Sequence, residues 1–281
     1  MKYGFVFPGG GADTPQGQAK TALEFGIAAE KAGWDAYFMW EGVWNLDPWI
    51  ALTSVAMRTE RIRLGTLLTP ASRRRPWKLA AEIATLDQLS DGRAILSVGL
   101  GAIDTGFDNF GEETDKRLRA ELLDEAIDII AGLWAGQPFN YSGKHYRVKE
   151  TTFLPPDPPV QKPRIPIWCV GVWPRMKSMQ RVLRCDGLLP AYKAKSGPVT
   201  DINPDHLREM KAYVDENRSL ISPFDIIMEG TTPGDDPTAA LAKVQPWQEA
   251  GATWWIESPW DLGDLEKVME RLKQGPPRES R

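Results

Sequence analysis

Histidine and cysteine are the scarcest reactive groups in this sequence, with two of each in 281 residues. His145 and His206, like Cys169 and Cys185, are too far apart for any metal-ligand spacing, so no metal site is expected. Each cysteine sits in or beside an apolar run, which points to buried free thiols in a reducing, cytoplasmic setting. No apolar run reaches the roughly 18 residues that a membrane span requires. Met1 leads directly into the strand-like run 2–7 with no charged region ahead of a longer apolar one, so no signal peptide is expected. Positive charge is not in excess. The 34 Lys and Arg face 38 Asp and Glu for a net charge of −4, which argues against a nucleic-acid groove. G-x-S-x-G, the P-loop and H-E-x-x-H are all absent, removing the usual signatures of a nucleophile elbow, a nucleotide triphosphatase and a zinc protease.

What remains is a globular composition, 42% hydrophobic with 25 glycines, long enough to bury a full core without disulfides or a structural metal. Twelve tryptophans imply that some are partly exposed in a cleft or interface, because indole N–H groups need partners. Short, continuously apolar runs at 3–7, 36–40, 62–68, 94–98, 165–170, 186–189, 224–228 and 253–257 read as parallel strands covered on both sides. Between them lie helical segments at 18–32, 47–58, 76–90, 115–134, 175–184, 204–218, 237–250 and 263–273, with Asp47-Pro48, Pro76 and Asp236-Pro237 as start signals. This alternation predicts an α/β fold, a (β/α)8 TIM barrel. An open doubly wound sheet is the alternative. Gly9-Gly10-Gly11 follows the first strand but lacks the G-x-G-x-x-G form. The reading is one barrel domain over 1–273, with an insertion at 136–164 on the N-terminal side or flank and a mobile tail at 274–281. Residues 138–153 of the insertion read as a small hairpin around Ser142-Gly143.

Several runs carry a family likeness. They are Ala32-Gly33-Trp34-Asp35, Arg61 to Pro70, Arg74-Arg75-Pro76, Ala84 to Arg93, Gly99-Leu100-Gly101, Pro159 to Trp168, and Asp186-Gly187. In this order, over nearly the whole chain, they resemble the bacterial luciferase-like monooxygenase superfamily. The resemblance implies a TIM-like barrel that binds FMN or the deazaflavin coenzyme F420. It also implies a flavoprotein-type oxidoreductase or monooxygenase working by hydride transfer or flavin-peroxide chemistry on a small organic substrate, with a possible homodimer through helices such as 76–90 or 115–134.

Barrel sites lie at the C-terminal ends of strands. That rim comprises Phe7, Trp40-Glu41, Leu67–Pro70, Gly99–Gly101, Gly171–Trp173, Pro190–Tyr192, Glu229 and Glu257–Trp260. Glu41, in an aromatic setting with Trp40 and Trp44, is the candidate proton-transfer residue. Many relatives read acid-His there, whereas here Gly42 follows. Thr66, Leu67 and Thr69 match the segment that lies behind the flavin ring in the family. Gly99 and Gly101 suit close backbone approach to a ligand. Gly171, Val172, Trp173, Arg175 and Lys177 match the loop that holds the flavin phosphate, although Trp173-Pro174 stands where relatives typically carry Ser. With Phe7 and Trp40 they form the candidate cofactor set. Trp44, Arg74 and Arg75 are the candidate substrate or anion residues, Arg73 completing a triple-arginine cluster compatible with the acidic tail of F420. A non-catalytic flavin-binding protein stays open because the histidine is missing. So does a barrel hydrolase or lyase without a redox cofactor, for which Glu229 and Glu257 would be the paired carboxylates.

Overall fold

The apolar runs pair edge to edge and the amphipathic stretches pack outside them. The computed structural model describes residues 1–9, 17–151, 157–194, 201–260 and 264–278. Its elements run β1 (Lys2–Phe7), α1 (Gln18–Lys31), β2 (Ala36–Met39), α2 (Pro48–Ala56), β3 (Arg63–Thr66), β4 (Thr69–Pro70), α3 (Pro76–Leu89), β5 (Ala94–Gly99), α4 (Lys116–Ala135), β6 (Phe139–Ser142), β7 (Arg147–Thr151), β8 (Ile167–Trp173), α5 (Met176–Val182), β9 (Gly187–Tyr192), α6 (Pro204–Asn217), β10 (Asp225–Gly230), α7 (Pro237–Glu249), β11 (Trp254–Glu257) and α8 (Leu265–Lys273). The main sheet runs β3-β2-β1-β11-β10-β9-β8-β5-β4, and a further β3–β5 pairing closes it. The result is a parallel (β/α)8 barrel. The open-sheet alternative fails on that closing pair, in which Leu64 meets Ala94. The two residues of β4 continue the wall along β5 just past the Leu67–Leu68 peptide, which is cis.

Alternation divides each strand between two cores. Val6, Phe38, Trp168, Leu189, Ile227 and Trp254 fill the barrel. Their outward neighbours, such as Phe5, Phe7, Tyr37, Leu188 and Trp255, pack against the helices. Trp168 and Trp254 meet edge to face at 5.3 Å, and Phe38, tilted against Trp168 at 5.6 Å, completes the cluster. That plug needs bare backbone opposite it: a Cβ at Gly187 would lie 2.3 Å from the Trp168 ring. Large rings fill the lower barrel, and a cavity opens above them at the C-terminal end.

Three buried ionic clasps tie the N-terminal face. Gln161 donates to Asp87 at 2.7 Å and accepts from Arg63 at 2.9 Å. Arg93 donates to the backbone of Ala56, Thr59, Ile62 and Ser90. Asp186 accepts from Arg164 at 2.9 Å, from Ser222 at 2.8 Å and from Arg218 at 3.5 Å.

The insertion lies on the flank. Its hairpin turns at Gly143–Tyr146, and Glu125 of α4 accepts the N–H groups of Lys144, His145 and Tyr146. The end of the chain departs from the expected mobile tail. Arg278 pairs with Asp35 at 2.8 Å and lies over the Tyr3 ring, fastening 274–278 under the barrel. Residues 279–281, like Gly10 and Gly11 of the glycine run and 152–153 of the expected hairpin, lie outside the described residues. Among the exposed apolar side chains are Ile50 of α2, Met57 just past its end, and Trp77 and Leu89 at the ends of α3, with none of comparable size on α4. Both cysteines are buried free thiols. Among the described residues no helix is long and apolar enough to cross a membrane, and no group of His, Cys, Asp or Glu is arranged to hold a metal ion.

Candidate functional site

A cavity of about 990 Å³ opens at the C-terminal end of the barrel. Following the alternation up each strand, the last inward positions are Pro8, Trp40, Leu67, Gly99, Val172, Ala191, Glu229 and Ser258. One wall is Leu67, Leu68 and Pro70; Val170 and Val172 face it, and Trp40 and Trp260 edge it. Such a slot suits a flat, largely apolar ring system.

The other side is cationic. Helix α4 turns Lys116, Arg119, Ala120 and Leu123 toward the cavity, spaced three, one and three residues apart as one helical face requires. Arg119 is only 5% exposed. Its Nη1 donates to the carbonyls of Leu100 (2.8 Å) and Gly101 (3.2 Å), it lies over the Phe107 ring, and its buried Nε has no partner among the described residues. Among the described residues no carboxylate bonds this guanidinium, and Glu113 and Asp115 act on it only through space, which leaves an unfinished electrostatic arrangement. Lys177 of α5 and Lys193 beyond β9 join the same wall, and among the described residues Lys116, Lys177 and Lys193 make no ion pair. Arg175 also lines the cavity and donates to the Ala194 carbonyl. Arg181 is already committed, bidentate, to Asp124 at 2.8 and 2.9 Å.

Glu41 borders the cavity, but both of its oxygens are occupied. Arg74 Nε donates to one at 2.8 Å, and Thr69 Oγ1 donates to the other at 2.9 Å. Arg73 stands 3.8 Å away. Burial pushes the carboxyl above the usual glutamate range, while Arg74, Thr69 and Arg73 pull it back. Arg74 is also bound to Asp47 and Glu82, and Arg73 to Glu112 and to the carbonyls of Gly42 and Val43. These arginines form a bracket for the 41–47 loop. They are not an open anion site.

The other expected residues divide. Leu67, Trp40, Gly99, Gly101, Val172, Arg175 and Lys177 line the cavity. The two glycines are required by packing: a Cβ at Gly99 would meet Leu68 at 2.7 Å, and one at Gly101, where φ is +75°, would meet Pro70 at 2.8 Å. Phe7 points outward, onto Phe25 of α1. Thr66 lies behind the wall, bonded to Thr69. Gly171 faces outward, where a Cβ would meet Leu188 at 2.4 Å. Trp173 turns away to Glu209 and Tyr213. Trp44, 86% exposed, stacks on Phe110 outside the cavity lining, and Arg75 lies over Trp77. Where relatives carry histidine, a Cβ at Gly42 would sit 2.8 Å from the Trp40 ring.

Sequence reasoning passed over Lys116, Arg119, Ser178 and Lys193. The available signal was an arginine inside the apolar stripe of 115–134, where a core-facing position would ordinarily be aliphatic.

The sequence matches the luciferase-like monooxygenase family over residues 1–278. It is 36% identical over 158 residues to an F420-dependent glucose-6-phosphate dehydrogenase of Microbacterium testaceum, a match covering 52% of this chain and 45% of that one, so the chain spans about half the length of that relative. In fold it is similar to an F420-dependent secondary alcohol dehydrogenase in complex with an F420-acetone adduct (TM-score 0.75, 16% identity, 99% and 98% of the two chains). It is equally similar to the oxygenating constituent of 3,6-diketocamphane monooxygenase from Pseudomonas putida in complex with FMN (TM-score 0.74, 15% identity, 98% and 96%).

Proposed function

The chain belongs to the luciferase-like monooxygenase family, and from that premise we propose that it is an oxidoreductase working with coenzyme F420 in preference to FMN. The observation that carries this is the cationic wall. Arg119 lies buried with no carboxylate bonded to it, and Lys116, Lys177 and Lys193 on the same wall make no ion pair among the described residues. One terminal phosphate needs fewer cations than this. A chain that carries a phosphodiester and then carboxylates, as the F420 side chain does, uses them all.

The donor set fits such a group. Leu67, Leu68 and Pro70 would back the ring, with Val170 opposite. Arg119 Nε and the lysines would take the anionic chain. When bound, the cofactor supplies or accepts the hydride. The protein holds the ring against an apolar wall, keeps water from its face, and leaves room in the cavity for a small organic substrate. Glu41 acts as an anchor here: with Arg73 and Arg74 it fixes the loop that carries Trp40.

Replacing Arg119 with alanine tests the reading. Loss of one charge-assisted contact is expected to weaken F420 binding about 10- to 100-fold, with far less effect on FMN, read by cofactor absorbance and tryptophan quenching. Equal, small losses for both cofactors would count against it.

A further inference from the structure

Three carboxylates close strands at the barrel mouth, and two of them are neutralised. Glu41 is held by Arg74, and Glu257 by Arg271 at 3.3 Å together with both donors of Thr232. Glu229, at the end of β10, has no such cation among the described residues. Its bonds come from neutral donors, Ser258 Oγ at 3.3 Å and the side chain of Trp260. Unlike Glu41 and Glu257 it occupies an inward position, two residues above Ile227, which faces the barrel interior. Its carboxyl is bonded by Trp260, a residue of the cavity edge. Of the eight last inward side chains, Glu229 alone titrates. Trp40 spends its N–H on the Pro8 carbonyl, and Ser258 is hydrogen-bonded to Glu229 itself and to the Ile256 carbonyl.

We propose that Glu229 is the proton-transferring residue of this barrel, serving the small substrate that sits between it and the cofactor ring. This rests on the oxidoreductase reading above. In the reducing direction a bound reduced cofactor would supply hydride to the electrophilic carbon of a carbonyl or enone. The π pair moves to the oxygen, and the Glu229 O–H bond breaks to protonate that oxygen. Solvent at the open mouth returns a proton to the carboxylate. In the oxidising direction the carboxylate takes the alcohol proton as hydride leaves. Glu229 can change charge because no ion pair is broken when it does, and desolvation at the mouth already pushes its carboxyl above the usual range, against the bonds from Trp260 and Ser258. Its surroundings on the adjoining strands are Ala191 and Ile256. Lys193, past the end of β9, is the cation that the neighbouring strand brings to the mouth.

The test uses the full chain, the variant Glu229→Gln and cyclohex-2-enone as carbonyl probe. With reduced cofactor bound, single-turnover oxidation is followed by absorbance across pH. Expected for E229Q is cofactor affinity within about twofold of the parent, a hydride-transfer rate lower by about 100-fold or more, and loss of the alkaline limb of the pH profile. An unchanged rate and profile overturns the proposal and leaves the cofactor reading standing. A second readout needs no cofactor. The infrared carboxyl band that disappears in E229Q is expected to outlast the bulk glutamates as pH rises, and to shift when the probe enters the cavity. A band that ionises with the bulk and ignores the probe overturns the assignment. Failure of the parent protein to bind either cofactor counts against the oxidoreductase reading, while the infrared arm still decides whether Glu229 meets a carbonyl.

Discussion

A glutamate beside an arginine and a glutamate beside a tryptophan are both raised by desolvation, but different neighbours oppose it. Glu229 is held above the usual carboxylate range by desolvation. The folded state therefore binds its proton more tightly than the unfolded chain does, and its contribution to stability is present at low pH and lost as pH rises from the ordinary glutamate value through the raised one. Glu229→Gln is expected to flatten that part of a denaturation-midpoint-versus-pH curve. Glu41 contributes in the same direction and remains in the variant, so the flattening is partial. An unaltered curve would contradict the assigned setting of Glu229. The sequence pointed to Glu41 because of its aromatic neighbours, and it showed Glu229 as a strand end that could pair with Glu257 in a hydrolase, not as the proton donor of an oxidoreductase. Alternation along 224–228 extends inward to 229, but the arginines that neutralise Glu41 come from a segment 32 and 33 residues away, and no local pattern shows where their guanidinium groups go. Gly42 is a second case. Its missing side chain leaves the space that the Trp40 ring fills, so Gly42→His is expected to displace that ring and destabilise the protein by about 1–3 kcal/mol in chemical denaturation, without restoring a family-like histidine. A stable variant with Trp40 unmoved would contradict this.

At the scale of elements, the motifs that made the chain recognisable do mechanical work at the N-terminal face. Asp87, Arg93, Gln161, Arg164 and Asp186 come from the runs that carry the likeness, and they form the clasps beneath the barrel. This is why the strands and their order were legible: each apolar run and each short motif that carries a clasp residue can be read locally, although the clasps themselves join residues as far apart as Arg63 and Gln161. The cation wall was not, because α4 faces the cavity only after the loop 100–115 has set its direction. Asp186→Ala removes the shared partner of Arg164 and Arg218 and leaves buried guanidinium groups unpaired. A loss of about 3–5 kcal/mol in urea unfolding is expected, with cofactor binding by the folded fraction unchanged. A loss below about 1 kcal/mol would show the clasp to be dispensable.

At the scale of the molecule, the net charge of −4 hides a division of labour. Acidic residues pair with arginines around the helices and beneath the barrel, while Lys116, Lys177 and Lys193, without ion pairs among the described residues, line one cavity with Arg119. Composition alone gave no hint of that wall, since a sum of charges carries no positions. The central claim is that this wall selects an anionic cofactor chain. The most direct measurement is a binding titration of the parent protein with F420 and with FMN at low and high salt. The account predicts tighter binding of F420 and a preference that shrinks as salt rises, because the extra contacts are charge pairs. Preference for FMN, or an F420 affinity indifferent to salt, would contradict it.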